Sequence, residues 1–286
     1  LSTINPRIVY CSITGFGHTG AKRAHTAFDN VIQAFSGLMA SSGTPETTPV
    51  QVGAPVLDYG TGAQAAFAIA AALTRRERTG KGQQLDVAML DAAVMLMGAH
   101  VLQTLVAGKA PVPHGNTNPS NHAYGCHETA DGLLMTGVQT PRQHVRFWRA
   151  LGRDDIVSEI ENLNSPEICS RGEHDGPIMR SILMTRTADE WEVLLNEAGV
   201  PAARVRHLDE ALASGQLDGR AVLQPCGVAP RTGQPLKAPV AAFTTEEDGP
   251  ILKSAPPRMG QHNHAVLSEL GFSSEEIVVW EEQGVL

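Results

Sequence analysis

The segment Gly53-Ala54-Pro55-Val56-Leu57-Asp58-Tyr59-Gly60-Thr61-Gly62 places a single carboxylate between a short apolar stretch and a long run of small residues. That pattern predicts a helix beginning near Asp58, with glycines on both sides that let a ligand approach the backbone closely. A carboxylate at a helix N-terminus stays ionised, because the helix dipole and the free N–H groups favour negative charge there. Ionised and accessible, it has the chemistry to attack a thioester carbonyl. Asp is also a favoured N-cap, so capping and nucleophilic attack both stand open on the residues alone.

A second candidate is Gly15-x-Gly17-x-x-Gly20, which follows the β-branched run Arg7-Ile8-Val9-Tyr10-Cys11-Ser12-Ile13. Its spacing matches dinucleotide-binding loops, but the full fingerprint needs a helix starting in the loop and an acid about 20 residues on. Here Ala21-Lys22-Arg23-Ala24-His25 delays the helix and no acid ends a second strand at that place. NAD binding is therefore not expected. What remains is a set of backbone amides able to face a ligand oxygen. Ser12 has no GxSxG context and is not read as a hydrolase nucleophile. Met89, at the end of a second strand pattern, is either core filler or the flank of a flexible apolar ligand arm.

The 11 histidines, including His114, His122, His127 and the pair His262 and His264, lack a firm metal-ligand spacing. The four cysteines, Cys11, Cys126, Cys169 and Cys226, form no CxxC. No metal is expected, and the thiols read as reduced in a cytosolic protein. The Arg75, Arg76, Arg78 and Lys81 cluster reads as a solvated helix end.

The elements that must position these groups follow from periodicity. A buried strand over Arg7 to Ile13 feeds the glycine loop, and Phe28, Val31, Ile32, Phe35 and Leu38 then recur at helical spacing. Residues 41–49 read as an exposed loop. The helix starting near Asp58 runs to about Arg76 and stops at Gly80; its alanine-rich stretch 65–73 reads as buried. A strand over 84–89 and one apolar helix over 90–106 complete a strand–helix–strand–helix order, an α/β layer with parallel strands. Residues 108–121, rich in Gly, Pro, Asn and His, read as a linker. Beyond it, 124–128 and 133–138 form a hairpin across Ala130-Asp131-Gly132. Thr140 with Pro141, Thr187 with Glu190, and Ser273 with Glu276 open helices.

Composition bounds the rest. The chain has 286 residues, 42% hydrophobic and 18% charged, a globular profile with room for one large domain or two modest ones. Its net charge of −8 argues against a nucleic-acid partner. No unbroken apolar run reaches the roughly 18 residues of a membrane span. No charged stretch leading into an apolar one marks a secretory signal.

Taken in order, several segments resemble the family III CoA-transferases. They are Ile4-Asn5-Pro6 through Gly17, Gln33-Ala34-Phe35-Ser36-Gly37-Leu38-Met39, Val56-Leu57-Asp58 with its small-residue helix, and Arg76-Glu77-Arg78-Thr79-Gly80-Lys81-Gly82-Gln83-Gln84-Leu85-Asp86-Val87. His114-Gly115-Asn116, Thr129-Ala130-Asp131-Gly132 and the tail from Gly260-Gln261-His262 to Leu286 continue the series. The resemblance covers nearly the whole chain.

The resemblance implies that Asp58 is the nucleophile, with coenzyme A as part of the acyl-CoA substrate. Met89 matches a position lining the CoA arm. Gly15 and Phe16 match the loop beside the thioester, and Thr14 stands where some members carry a lysine that touches CoA. It implies an α/β fold, with a Rossmann-like large domain, a smaller α+β domain, and two ring-shaped subunits interlocked as a homodimer. Residues 1–107 would belong to the large domain and 122–220 to the small one, with 221–286 returning to the large domain. Residues 108–128 would shape the pocket of the acceptor acid. Family chains also carry a strand-and-helix half ahead of the segment that begins here at Leu1. It is expected as part of a longer chain or as a separate polypeptide.

Two other readings compete. An α-methylacyl-CoA racemase shares the implied fold, but pairs the aspartate with a histidine directly before the position of Asp29; here that position is Phe28, preceded by Ala27, with His25 on a different turn. A non-catalytic CoA-binding or assembly subunit is the third reading.

Overall fold

The computed structural model describes residues 1–229 and 231–286. It divides into two compact units, Leu1–Val205 and Arg206–Leu286.

The first unit opens with β1 (Val9–Thr14), α1 (Asp29–Ser36), α2 (Val56–Thr79), β2 (Gln83–Ala88), α3 (Met89–Leu96) and α4 (Gly98–Ala107). β1 and β2 pair in parallel from Val9↔Gln83 to Thr14↔Ala88, which the long crossover through α1 and α2 makes possible. The return into β2 is tight. The Gly82 amide donates to the Pro6 carbonyl at 2.9 Å, and a Cβ on Gly82 would lie 1.8 Å from the Ile8 carbonyl oxygen. Only glycine fits there.

Two helices differ from expectation. The stretch 65–73 is not buried throughout. α2 buries one stripe, Leu57, Thr61, Ala65 and Ala72, at spacings of four, four and seven that keep one face toward its neighbours. Phe67 on the other side is 73% exposed. At 24 residues, α2 is also long and apolar enough, by length and composition, to cross a membrane, although no unbroken apolar run in the sequence suggests it. Its buried stripe is that of a layer helix packed on a sheet. The single helix expected over 90–106 is two, α3 and α4, bent by 74° at Met97. Gly98, next to the bend, has the weakest helix propensity after proline.

The apolar face of α1 is likewise less covered than its periodicity predicts. Ile32 is fully buried, whereas Phe28 is 81% exposed. Leu102, Leu105 and Val106 of α4 are exposed as well.

The unit continues with β3 (Tyr124–Glu128), β4 (Leu133–Gly137), α5 (Pro141–Ala150), α6 (Asp154–Ile160), α7 (Ser165–Ser170), α8 (Gly172–Leu183), α9 (Ala188–Glu197) and β5 (Ala202–Arg204). The predicted hairpin forms as β3 and β4, and β5 adds antiparallel to β4. Helices pack a dense core on this sheet, with Leu134, Phe147, Trp148, Ile160, Ile168, Leu183 and Leu195 fully buried. Capping boxes at Thr140–Gln143, Asn164–Glu167 and Thr187–Glu190 set three of the helix starts.

The second unit holds α10 (Leu208–Ala213), the antiparallel pair β6 (Leu223–Val228) and β7 (Pro235–Pro239), α11 (Asn263–Glu269) and α12 (Ser274–Glu282). The predicted box at Ser273–Glu276 opens α12.

Candidate active site

In open α/β layers, ligands collect where parallel strands end at their carboxyl termini. Both strands of the parallel pair end beside predicted site residues. β1 runs out at Thr14 into Gly15 and Phe16, and β2 runs out at Ala88 into Met89, the first residue of α3.

The loop after β1 is pinned from several sides. The Thr14 hydroxyl accepts from the Gly17 amide at 2.9 Å, and the Leu90 amide donates to the Gly15 carbonyl at 3.0 Å. A Cβ on Gly15 would stand 2.6 Å from the Ala27 Cβ, so the close approach of the returning chain requires glycine. Gly17 has φ +83°, a left-handed conformation natural to glycine. The Asp86 carboxylate accepts from the His18 amide at 3.0 Å, and the His18 ring sits 2.7 Å from the Ser12 hydroxyl.

Phe16 meets Phe35 edge to face at 5.1 Å and the His25 ring edge to face at 5.9 Å. Phe16 and Val56 pack onto a buried cluster of Ile32, Leu57, Met89 and Ala93. One apolar cluster therefore gathers Phe16, Met89 and the first turn of α2. It positions the residue after Leu57, which is Asp58.

Asp58 is the third residue of α2 and is exposed. The helix begins two residues earlier than the sequence suggests, and its N-cap is Pro55, which makes no side-chain cap. The cap comes from another helix. Asp29, 8% exposed at the start of α1, accepts on Oδ2 from the amides of Leu57 at 2.7 Å and Asp58 at 3.1 Å. Its Oδ1 accepts from the Gln33 side-chain amide, and Gln33 Oε1 accepts from the Val52 amide at 2.9 Å. Among the described residues no group hydrogen-bonds the Asp58 carboxylate.

Sequence reasoning singled out Asp58 as a candidate and passed over the Asp29–Gln33 pair. The available signal was two polar residues four apart, on the same face of α1 as buried Ile32.

The histidines resolve differently. His122 and His127, with Tyr124, Asn118 and Arg180, line a cavity of about 350 Å³ built partly from the segment 117–128. His144 lies behind it, fully buried, with its ring 6.1 Å from that of His122. Burial pushes His127 and His144 down to about 4 and lowers His122 as well. These are neutral side chains of the core edge at neutral pH.

Comparison with known proteins places the chain among its relatives. The chain is 28% identical to an acyl-CoA transferase of Fusarium pseudograminearum, over all of this chain and 63% of that protein. It is 31% identical to a succinate–glutarate CoA-transferase of Agrobacterium fabrum, over 94% of this chain and 67% of the relative. The chain thus spans about two thirds of the length of the curated relatives it matches. Among solved structures, a CaiB/BaiF family protein from Brucella suis superposes with a TM-score of 0.75 at 26% identity, covering 94% of this chain and 69% of that one. The model of CoA-transferase family III matches residues 1–263, and the chain belongs to that family.

Proposed function

We propose that the chain moves CoA from an acyl-CoA donor to a free carboxylic acid, with Asp58 as the covalent nucleophile. The observation that carries this reading is the state of the Asp58 carboxylate: at a helix N-terminus, exposed, and bonded by no other group among the described residues.

An Asp58 oxygen attacks the thioester carbonyl, and the C–S bond breaks to give a mixed anhydride and CoA thiolate. The thiolate then attacks the aspartyl carbonyl, the donor acid leaves as a carboxylate, and an aspartyl-CoA thioester remains. An acceptor carboxylate attacks that thioester, forming a second anhydride and releasing the thiolate. Thiolate attack on the acceptor's acyl carbonyl yields the new acyl-CoA and returns Asp58. No net proton is consumed, and each step is an acyl exchange easier than direct transfer. Phe16 and Met89 flank the thioester and CoA arm, with Thr14 and Gly15 holding the loop. The names of the relatives point to short-chain dicarboxylates as the first acids to try. The interlocked homodimer, the cytosolic location and the division into 1–107, 108–121, 122–220 and 221–286 belong to the same reading.

The route of oxygen tests it. With an acceptor acid labelled in both carboxyl oxygens by ¹⁸O, each turnover should leave one labelled oxygen on Asp58 and one in the product thioester. Label found by peptide mass on the Asp58 segment supports the path. Product formed with no label on the protein contradicts it.

A further inference from the structure

Among the described residues, every helix start with a full capping box uses its third residue in the same way. At Asn164–Glu167, Thr187–Glu190 and Ser273–Glu276, the glutamate at that position folds back and accepts from the N-cap amide at 2.8 Å. His207–Glu210 repeats the distance, and Gln143 does the same for Thr140 at 3.0 Å. Such an acid is consumed by its own helix. Asp58 occupies the corresponding position in α2, yet the N-cap there is Pro55. Proline has no N–H to offer, so the return arm of a capping box cannot form. Proline has no side-chain acceptor either, and the amides of Leu57 and Asp58 would stand unpaired. Asp29 supplies that acceptor from α1.

We propose that Pro55 and Asp29 together form a positioning device that keeps the third-residue acid of α2 uncapped and aimed. Pro55 removes the donor that would capture the Asp58 carboxylate, and Asp29 supplies the acceptor for the Leu57 and Asp58 amides that the Pro55 side chain lacks. This rests on the reading of Asp58 as nucleophile. Gln33 fixes the chemistry needed at position 29. Its carbonyl oxygen is held by the Val52 amide, so its NH₂ must face residue 29 and requires an acceptor there. A carboxylate satisfies both Gln33 and the α2 amides. An asparagine satisfies only one.

The test uses the full chain and three variants, Pro55→Ser, Asp29→Asn and Asp29→Asn with Gln33→Glu. Readouts are the rate at which acyl-CoA loads Asp58, its dependence on acyl-CoA concentration, thermal unfolding, and amide exchange at Leu57 and Asp58. Pro55→Ser installs a capping box, so it should leave the melting temperature equal or higher while slowing maximal loading roughly 10- to 100-fold, the cost of a misplaced reacting group. Asp29→Asn should slow maximal loading by a similar factor, with half-saturation within about threefold, and speed exchange at the two amides about tenfold. Adding Gln33→Glu returns an acceptor both to the carboxamide NH₂ introduced at position 29 and to the Val52 amide, and should restore loading to within about threefold. A purely structural role would move stability and rate together. Wild-type loading in Pro55→Ser, or no rescue in a folded double variant, overturns the proposal. A native chain that never loads removes the nucleophile reading instead, and the exchange data then decide the cap alone: unchanged protection in Asp29→Asn overturns it.

Discussion

Replacing Asp58 by asparagine should abolish transfer while leaving the fold intact. The expected loss in rate is on the order of 10⁴- to 10⁶-fold, the scale seen when a covalent nucleophile is removed. The expected loss in stability is less than about 1 kcal/mol, because a charge in an exposed first turn contributes little. The structure gives a specific reason for that split. Capping of α2 comes from Asp29, so the helix start does not depend on the Asp58 side chain. Transfer assays and thermal melts on one preparation read both quantities. A variant that keeps more than about a tenth of the native rate excludes Asp58 as nucleophile.

The second large effect is on acid stability. His127 and His144 titrate near 4 in the folded chain because they are buried, against about 6.5 when unfolded. Between those values the unfolded chain binds more protons than the folded one, so stability falls as the pH falls. Each histidine contributes a slope of about 1.4 kcal/mol per pH unit, and the two together about 3. His122 is lowered by the same burial and adds to the slope. The stability these groups lend is complete above pH 6.5 and lost as the pH drops toward 4.

The surroundings fix the tautomer of His127. The Thr136 hydroxyl donates to the Ala123 carbonyl at 2.9 Å, so His127 Nε2 must donate to Thr136 at 3.0 Å. Asp175, close to His122 in charge terms, has its carboxyl raised by burial but lowered further by Arg171 and His174, and stays below the usual range. It is engaged with Arg171 at 2.8 Å and does not neutralise the histidine group. Urea unfolding at pH 7 and pH 5, followed by tryptophan fluorescence, measures the effect, since Trp148 and Trp191 lie in the same core. His144→Phe should flatten the slope by about one third to one half, and a slope unchanged in that variant contradicts the assignment.

How far these features could be read from the chain depends on the range of the interactions involved. Thr187–Glu190 and Ser273–Glu276 were legible because a capping box is a three-residue pattern with its own local chemistry. The parallel pairing of β1 and β2 followed from the element order. The bend at Met97 was hidden inside an unbroken apolar run, where periodicity gives no break. Asp58 stood out by its glycine setting, but the cap that frees it comes from a residue 29 positions earlier. Nothing local in the sequence ties Asp29 to Leu57. The periodicity of α1 correctly predicted a helix and overestimated its burial, since Phe28 is 81% exposed and Phe35, though it meets Phe16, stays half exposed.

The most direct measurement is the intact mass of the native chain and of Asp58→Ala after brief incubation with acyl-CoA, with and without borohydride. A CoA adduct is expected on the native chain only, converted by borohydride to an alcohol at Asp58. An adduct on both proteins, or transfer by the native chain with no adduct trapped at any time, contradicts it.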